Sequence, residues 1–219
     1  MISETEVKSM LLQRRILGIL CILLAPCSLL LGLIGAKYNE PYWWSSISST
    51  YYANSKIIMI GLLFSTSVFF FSYKGYDIKD RICSLIEAIS AAGIIIFPNA
   101  GTQLTDVTGV FCLPIHTSDI IHCSFAMTLF ITFGVNIIFL FTLGDKTNPK
   151  KKLRNKIYYT CGIGIILGIL SQVICTVIGC DMFHTPITTI NEVVMLTSFG
   201  FAYLVKSEAI FKLNDPKVS

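Results

Sequence analysis

Charge is scarce in this chain, and so are histidine, tryptophan and paired-cysteine motifs. Only 14% of the residues are Asp, Glu, Lys or Arg, while 53% are apolar. A soluble domain carries about a quarter charged residues, so this composition is unlike that of a water-facing globule. No Cys-x-x-Cys occurs among the eight cysteines, which leaves a disulfide-exchange catalyst without its motif. The three histidines form no His-x-x-x-His or His-Glu-x-x-His pair, so no single helix offers a zinc-binding face. There is no Gly-x-Ser-x-Gly elbow to mark a hydrolase nucleophile, and no repeat of fixed period.

Apolar sequence is abundant instead. Six runs stand out, at approximately 16–36, 57–73, 82–98, 119–142, 157–179 and 187–205. A helix rises about 1.5 Å per residue, so roughly 20 residues cross a hydrocarbon core of about 30 Å. The second and third runs are short, and Lys56, Lys74 and Arg81 can complete them by snorkelling to the interfaces. Lipid obliges each span to satisfy its own backbone, and the short connections leave no room for a soluble domain. The expected fold is therefore all-α: one polytopic bundle of six transmembrane helices occupying residues 1–219.

The basic residues set an orientation. Three precede the first run, three lie in the second loop, six in the fourth and three after the last run, against two in the first loop and none in the third or fifth. Short basic loops resist translocation, so this distribution of fifteen against two predicts cytoplasmic termini. The net charge of +4 comes from these loops, above all Lys146 to Lys156, and reads as attraction to anionic membrane lipid rather than to nucleic acid. Arg14 and Arg15 precede an apolar run too long for a cleaved signal, and Pro26 before Cys27 suits a lipoprotein site poorly, so the first helix is expected to stay.

Polar groups concentrate on the opposite face. The first loop carries Ser46, Ser48, Ser49, Tyr51 and Tyr52 beside Trp43 and Trp44. His116, Ser118 and Asp119 approach the fourth run, with His122 a few residues inside it. Asp181 and His184 lie in the fifth loop, and Glu192 sits about one and a half turns into the sixth run. An ionisable group within a span costs about 2.5–3.5 kcal/mol on insertion scales, so His122 and Glu192 require a partner or a wet cavity. Ser46, Ser48, Ser49, Tyr51, Tyr52, His122 and Glu192 thus form a candidate pocket, while His116, His122, His184 and Glu192 supply the donors for a zinc ion. The plainer alternatives are an aromatic belt for Trp43, Trp44, Tyr51 and Tyr52, helix capping by the serines, and solvated loop histidines. Cys112 and Cys180 are the cysteines placed to pair in an oxidising compartment. Glu87, near the cytoplasmic end of the third run and about a turn and a half from Arg81, is expected to pair with a basic residue at that surface, with proton relay as the sharper alternative.

The order of several motifs resembles a family of small, uncharacterised bacterial six-span membrane proteins. They are Ser46-Ile47-Ser48-Ser49-Thr50-Tyr51-Tyr52, Ser72-Tyr73-Lys74-Gly75-Tyr76, Phe97-Pro98, His122, Arg154-Asn155-Lys156-Ile157-Tyr158, Glu192 and Leu204-Val205-Lys206. The resemblance covers nearly the whole chain and implies a multi-pass protein of the bacterial cytoplasmic (inner) membrane, without implying an activity. That family commonly carries an Arg-Asp pair before the second span, where this chain has Ser55-Lys56. A looser likeness, to the alkaline ceramidase and adiponectin-receptor membrane hydrolases, lacks their seventh span and the paired histidines of a late helix. Two readings follow: a binding, sensing or transport module with a small-molecule or lipid ligand, or a metal-assisted hydrolase of a lipid amide or ester.

Overall fold

The structure, a computed structural model, describes residues 4–75, 77–101, 106–144, 149–180 and 184–210. Tyr76, Lys146 and Asp181 lie outside these residues. The described chain is all-α, with six helices: α1 (Glu4–Leu33), α2 (Lys56–Ser72), α3 (Ile78–Ile96), α4 (Ile115–Val135), α5 (Pro149–Val177) and α6 (Ile187–Lys206). A single π turn, Asn136–Leu140, extends α4, and a two-residue β-hairpin (β1 Val107–Thr108, β2 Leu113–Pro114) precedes it.

Each apolar run lies within or largely overlaps one helix, but two helices begin well before their runs. The first starts at Glu4, with Glu4 and Glu6 in its first turn and a Glu4–Lys8 ion pair of 3.0 Å along its exposed side. Acidic groups there complement the helix dipole, and the i,i+4 pair adds a few tenths of a kcal/mol. The fifth opens on Pro149, a residue suited to the first helical position because that amide has no intrahelical acceptor. Four helices are long and apolar enough to cross a membrane: α1, α4 with its π turn, α5 and α6. The helix α2 falls short at 17 residues, and α3 carries Lys79, Asp80, Arg81 and Glu87.

The helices close into a ring in sequence order, each packing on the next and α6 packing back on α1. Phe70, Phe133 and Phe199 fill its centre, the last two stacked with ring centroids 3.4 Å apart. The α1–α6 seam depends on two glycines. A Cβ on Gly18 would stand 2.8 Å from the Gly200 carbonyl oxygen, and one on Gly200 would stand 2.7 Å from that of Gly18. Small residues permit such approach between membrane helices. Between α5 and α6, Gly168 accommodates Met195, and between α3 and α4, Gly93 accommodates the Phe125 ring.

Two distinct ends result. One gathers the start of α1, the end of α2, the start of α5 and the end of α6, together with most of the basic residues. The other gathers the α1–α2 loop, the end of α3, the hairpin, and the starts of α4 and α6. At the first end Glu87 is fully buried, and its Oε1 accepts from Asn136 Nδ2 at 3.1 Å. Arg81 is not its partner. Its Nη1 donates to the Phe71 and Tyr73 carbonyls at 2.6 and 2.7 Å, satisfying the C-terminal turn of α2. The partner found for Glu87 is thus an amide rather than the expected basic residue, and Arg81 makes separate contacts.

Candidate functional site at the loop end

The α1–α2 loop is built inward rather than laid on the surface. Asn39 donates to the Gly32 carbonyl at 2.7 Å and Asn54 to that of Ile34, so two side chains satisfy orphan carbonyls at the end of α1. The Asn54 amide in turn donates to Asn39 Oδ1 at 2.9 Å, tying the two stems of the loop together. Trp43 then packs onto the open face of Gly32 and is 7% exposed. That burial, with Tyr52 at 8%, removes both from the expected aromatic belt.

Between them the chain forms a 3-10 turn, Ser48–Tyr52, and Glu192 anchors its start. Glu192 Oε2 accepts from the Ile47 amide at 2.5 Å, and its carboxylate also meets the Ser48 amide and hydroxyl. One carboxylate from α6 therefore meets the first orphan donors of the turn, the arrangement in which an acidic group is most favourable. Next to this anchor, the Ser46 and Ser49 hydroxyls are 2.7 Å apart, and the Ser49 amide donates to Ser46 Oγ at 2.8 Å. Ser45 donates to Ser49 Oγ at 3.3 Å, and Asn99 donates to the same oxygen at 3.0 Å from beyond α3. Tyr52 donates to the Asn99 carbonyl at 2.6 Å. Burial pushes the Tyr52 phenol above its ordinary pKa, a shift partly offset by a hydrogen bond with Thr108. Thr189 of α6 fixes the other side by donating to the Trp44 carbonyl at 2.6 Å.

His122 serves the neighbouring junction. Its Nδ1 lies 2.8 Å from the Phe97 carbonyl oxygen, and the Ile94 carbonyl is a second partner, so the imidazole meets the end of α3. Ser118, one turn earlier, donates to the Pro98 carbonyl at 2.7 Å, and Asp119 accepts from the Ala100 amide at 2.6 Å. Three polar positions in the first turns of α4, Ser118, Asp119 and His122, are used to hold one α3–α4 connection.

Ser46, Ser48, Ser49, Tyr52 and Glu192 are therefore brought together, and His122 stands on the adjoining connection. Tyr51 is half-buried, with Lys56 Nζ 3.6 Å from its ring centroid. Lys56 snorkels onto that ring, a cation–π contact rather than a purely aqueous position. The serines do not cap α2, whose N-cap, Ser55, makes no side-chain capping bond. The metal set is not assembled. His116 is exposed, and His184 is exposed beside the Tyr42 ring at 4.3 Å. Among the described residues no three His, Cys, Asp or Glu side chains come together as ligands for a metal ion. Cys112 and Cys180 are free thiols. Cys180 instead follows a Schellman end to α5: Gly179 has φ 68°, and the Cys180 amide reaches the Cys175 carbonyl at 2.9 Å. Its thiol accordingly meets that of Cys175 rather than that of Cys112.

A cavity of about 10 Å³, near the room one water needs, lies among Tyr42, Trp43, Ser45, Ser49, Tyr52 and Gly101. The loop that concentrates serine and aromatic residues in the sequence is thus also where a small recess is found. Compared with family models, curated proteins and solved structures, the chain matches none.

Proposed function

We propose that this chain is a six-span protein of a bacterial cytoplasmic membrane, with cytoplasmic termini, and that its loop end binds a small molecule or lipid without cleaving it. The basic-residue asymmetry supports the orientation, and the motif order of small bacterial six-span proteins supports the location. Spans two and three are the short ones, and the ring gives them neighbours on both sides. The observation that carries the binding reading is the engagement of the two strongest catalytic candidates. Glu192 is occupied by Ile47 and Ser48, and His122 by the end of α3. Both position backbone, while Ser45, Ser49, Trp43 and Tyr52 face the adjoining cavity. The recess has room for about one water, so a ligand enters by opening the Ser49–Asn99 contact and is sensed through the turn that Glu192 holds.

Orientation is tested on intact cells. A membrane-impermeant maleimide should label Cys112, exposed at the loop end, with labelling lost in Cys112→Ala. An impermeant amine reagent should reach Lys150 only after the cells are opened; the reverse pattern would overturn the orientation. Binding is tested through Trp43, the indole that lines the cavity, in a Trp44→Phe background. Envelope lipids and small polar solutes are titrated, and a saturable emission change that Ser49→Ala weakens is expected. Hydrolysis of a lipid by the purified protein, with about one metal ion per chain, would replace this reading with the hydrolase.

A further inference from the structure

The end of α5 closes in a way that sets two cysteines side by side. Gly179 adopts φ 68°, the left-handed conformation that glycine tolerates best. Its amide donates to the Thr176 carbonyl at 3.3 Å, and the Cys180 amide donates to that of Cys175 at 2.9 Å. These are the two bonds of a Schellman motif, in which the residue after the glycine folds back over the residue five positions earlier. A hydrophobic contact between those two positions commonly accompanies the motif. Here both positions are cysteine and their thiols meet, with the Ser171 hydroxyl, one turn back, as a further partner of Cys175. Among the described residues no other two thiols meet.

The two thiols differ in access. Cys175 is 7% exposed, while Cys180 is half-buried. The turn that precedes Cys175 is held to α6: Gln172 Nε2 donates to Thr188 Oγ1 at 3.2 Å, and Gln172 Oε1 accepts from Asn191 Nδ2 at 3.1 Å. One sulfur is therefore open to a reagent, and the other is fixed beside it. Thiol–disulfide exchange uses such an arrangement, with an accessible thiol that reacts first and a shielded neighbour that resolves the product.

We infer that Cys175 and Cys180 form a reversible disulfide site that reacts with disulfide-bearing oxidants such as oxidised glutathione. The Cys180 thiolate attacks one sulfur of the oxidant, forming a mixed disulfide and releasing one thiolate. The Cys175 thiolate then attacks the Cys180 sulfur and expels the second. Two protein thiols are oxidised to one disulfide, the oxidant is reduced to two thiols, and the protons of Cys175 and Cys180 pass to the departing sulfurs. The bond fastens the last turn of α5 to the start of the α5–α6 connection. It rests neither on the orientation of the bundle nor on what the loop end binds.

The test uses the reduced full chain in detergent, incubated with oxidised and reduced glutathione in varied ratio. Samples are quenched with acid and alkylated with N-ethylmaleimide under denaturing conditions. Mass spectrometry should find two of the eight thiols protected, and proteolytic peptides should place the bond between Cys175 and Cys180. Excess reduced glutathione should restore both thiols. Cys175→Ser should stop at a glutathione adduct on Cys180, and Cys180→Ser should leave Cys175 unmodified. Gly179→Ala should slow closure about tenfold: the added Cβ meets nothing within 4 Å, so it acts only by disfavouring the left-handed backbone. Thiols that all stay reduced in the wild-type chain, or a bond that maps to Cys112 or Cys123, would overturn the inference. So would closure of Gly179→Ala at the wild-type rate, because the helix end would then not be what pairs the two cysteines.

Discussion

Gly200→Ala is expected to lower the thermal midpoint by roughly 5–10 °C, although it adds a single methyl group. The added Cβ would lie 2.7 Å from the Gly18 carbonyl oxygen and 3.2 Å from the Ile22 amide nitrogen. Both neighbours are backbone atoms of α1, so no rotamer change relieves the contact and the helices must separate along the seam. Overpacking of this kind costs about 1–3 kcal/mol, and the rigid obstacle places Gly200 at the upper limit. A chain of this length loses about 2–4 °C per kcal/mol. Gly61 on α2 provides the control, since a Cβ there meets nothing within 4 Å. Gly61→Ala should be neutral or slightly stabilising, because alanine reduces the freedom of the unfolded chain. Thermal scans of both variants in one detergent decide the matter: equal midpoints would mean that α1 and α6 do not cross at these glycines.

Glu192→Ala should release the loop while leaving the helices intact. The wild-type carboxylate accepts from the Ile47 amide and from the Ser48 amide and hydroxyl. Alanine leaves these donors without an acceptor at a cost of about 1–3 kcal/mol each where water cannot replace it. The remaining bonds at the start of the 3-10 turn, from the Ser49 amide to Ser46 Oγ and from Thr50 to the Ile47 carbonyl, lie within the loop, so the loss falls on local opening rather than on global unfolding. Amide exchange over residues 45–55 should accelerate on the order of 10- to 100-fold, with α5 unchanged. Glu192→Gln, which keeps one oxygen acceptor, should fall between. An unaltered exchange rate in the alanine variant would show that the turn is held by something other than α6. The same variant should lose the Trp43 response to ligand if the turn is what transmits binding.

The positions of the helices were readable because lipid-facing sequence is apolar over a length that few other structures require. The early starts of α1 and α5 were not, because Glu4–Arg15 and Pro149–Lys156 are polar, and hydropathy is silent about polar helices. At the loop end, the sequence pointed to Glu192, His122 and the serines as residues in need of partners. It could not show that those partners were backbone amides and carbonyls, since every residue carries them and only the fold selects which are orphaned. That is why two of the four donors the sequence offers a metal, His122 and Glu192, serve in space as caps, while His116 and His184 stay exposed.

The buried basic residues illustrate a different limit. Loop by loop, Lys and Arg mark topology, and in that role they count as solvated. Their burial was legible only in register. Arg14 lies on the stripe continued by Leu17, Gly18, Cys21, Leu24 and Ala25, all buried. Lys151, Arg154 and Asn155 begin the stripe continued by Tyr158, Cys161, Gly162 and Ile165. Extending each apolar face one or two turns beyond the hydrocarbon boundary would have placed these cations inside the bundle.

The closed ring also constrains how the molecule is made. Helices leave the ribosome in order, so the first five can assemble only as an open arc whose two outer faces, on α1 and α5, await the sixth. Arg14 on α1 and Arg154 on α5 stand on either side of the gap that α6 fills. The set of buried Arg14, Lys151, Arg154 and Lys206 is therefore complete only after the last helix has been added, and a nascent chain that stalls before α6 carries three of the four with no seam to enclose them.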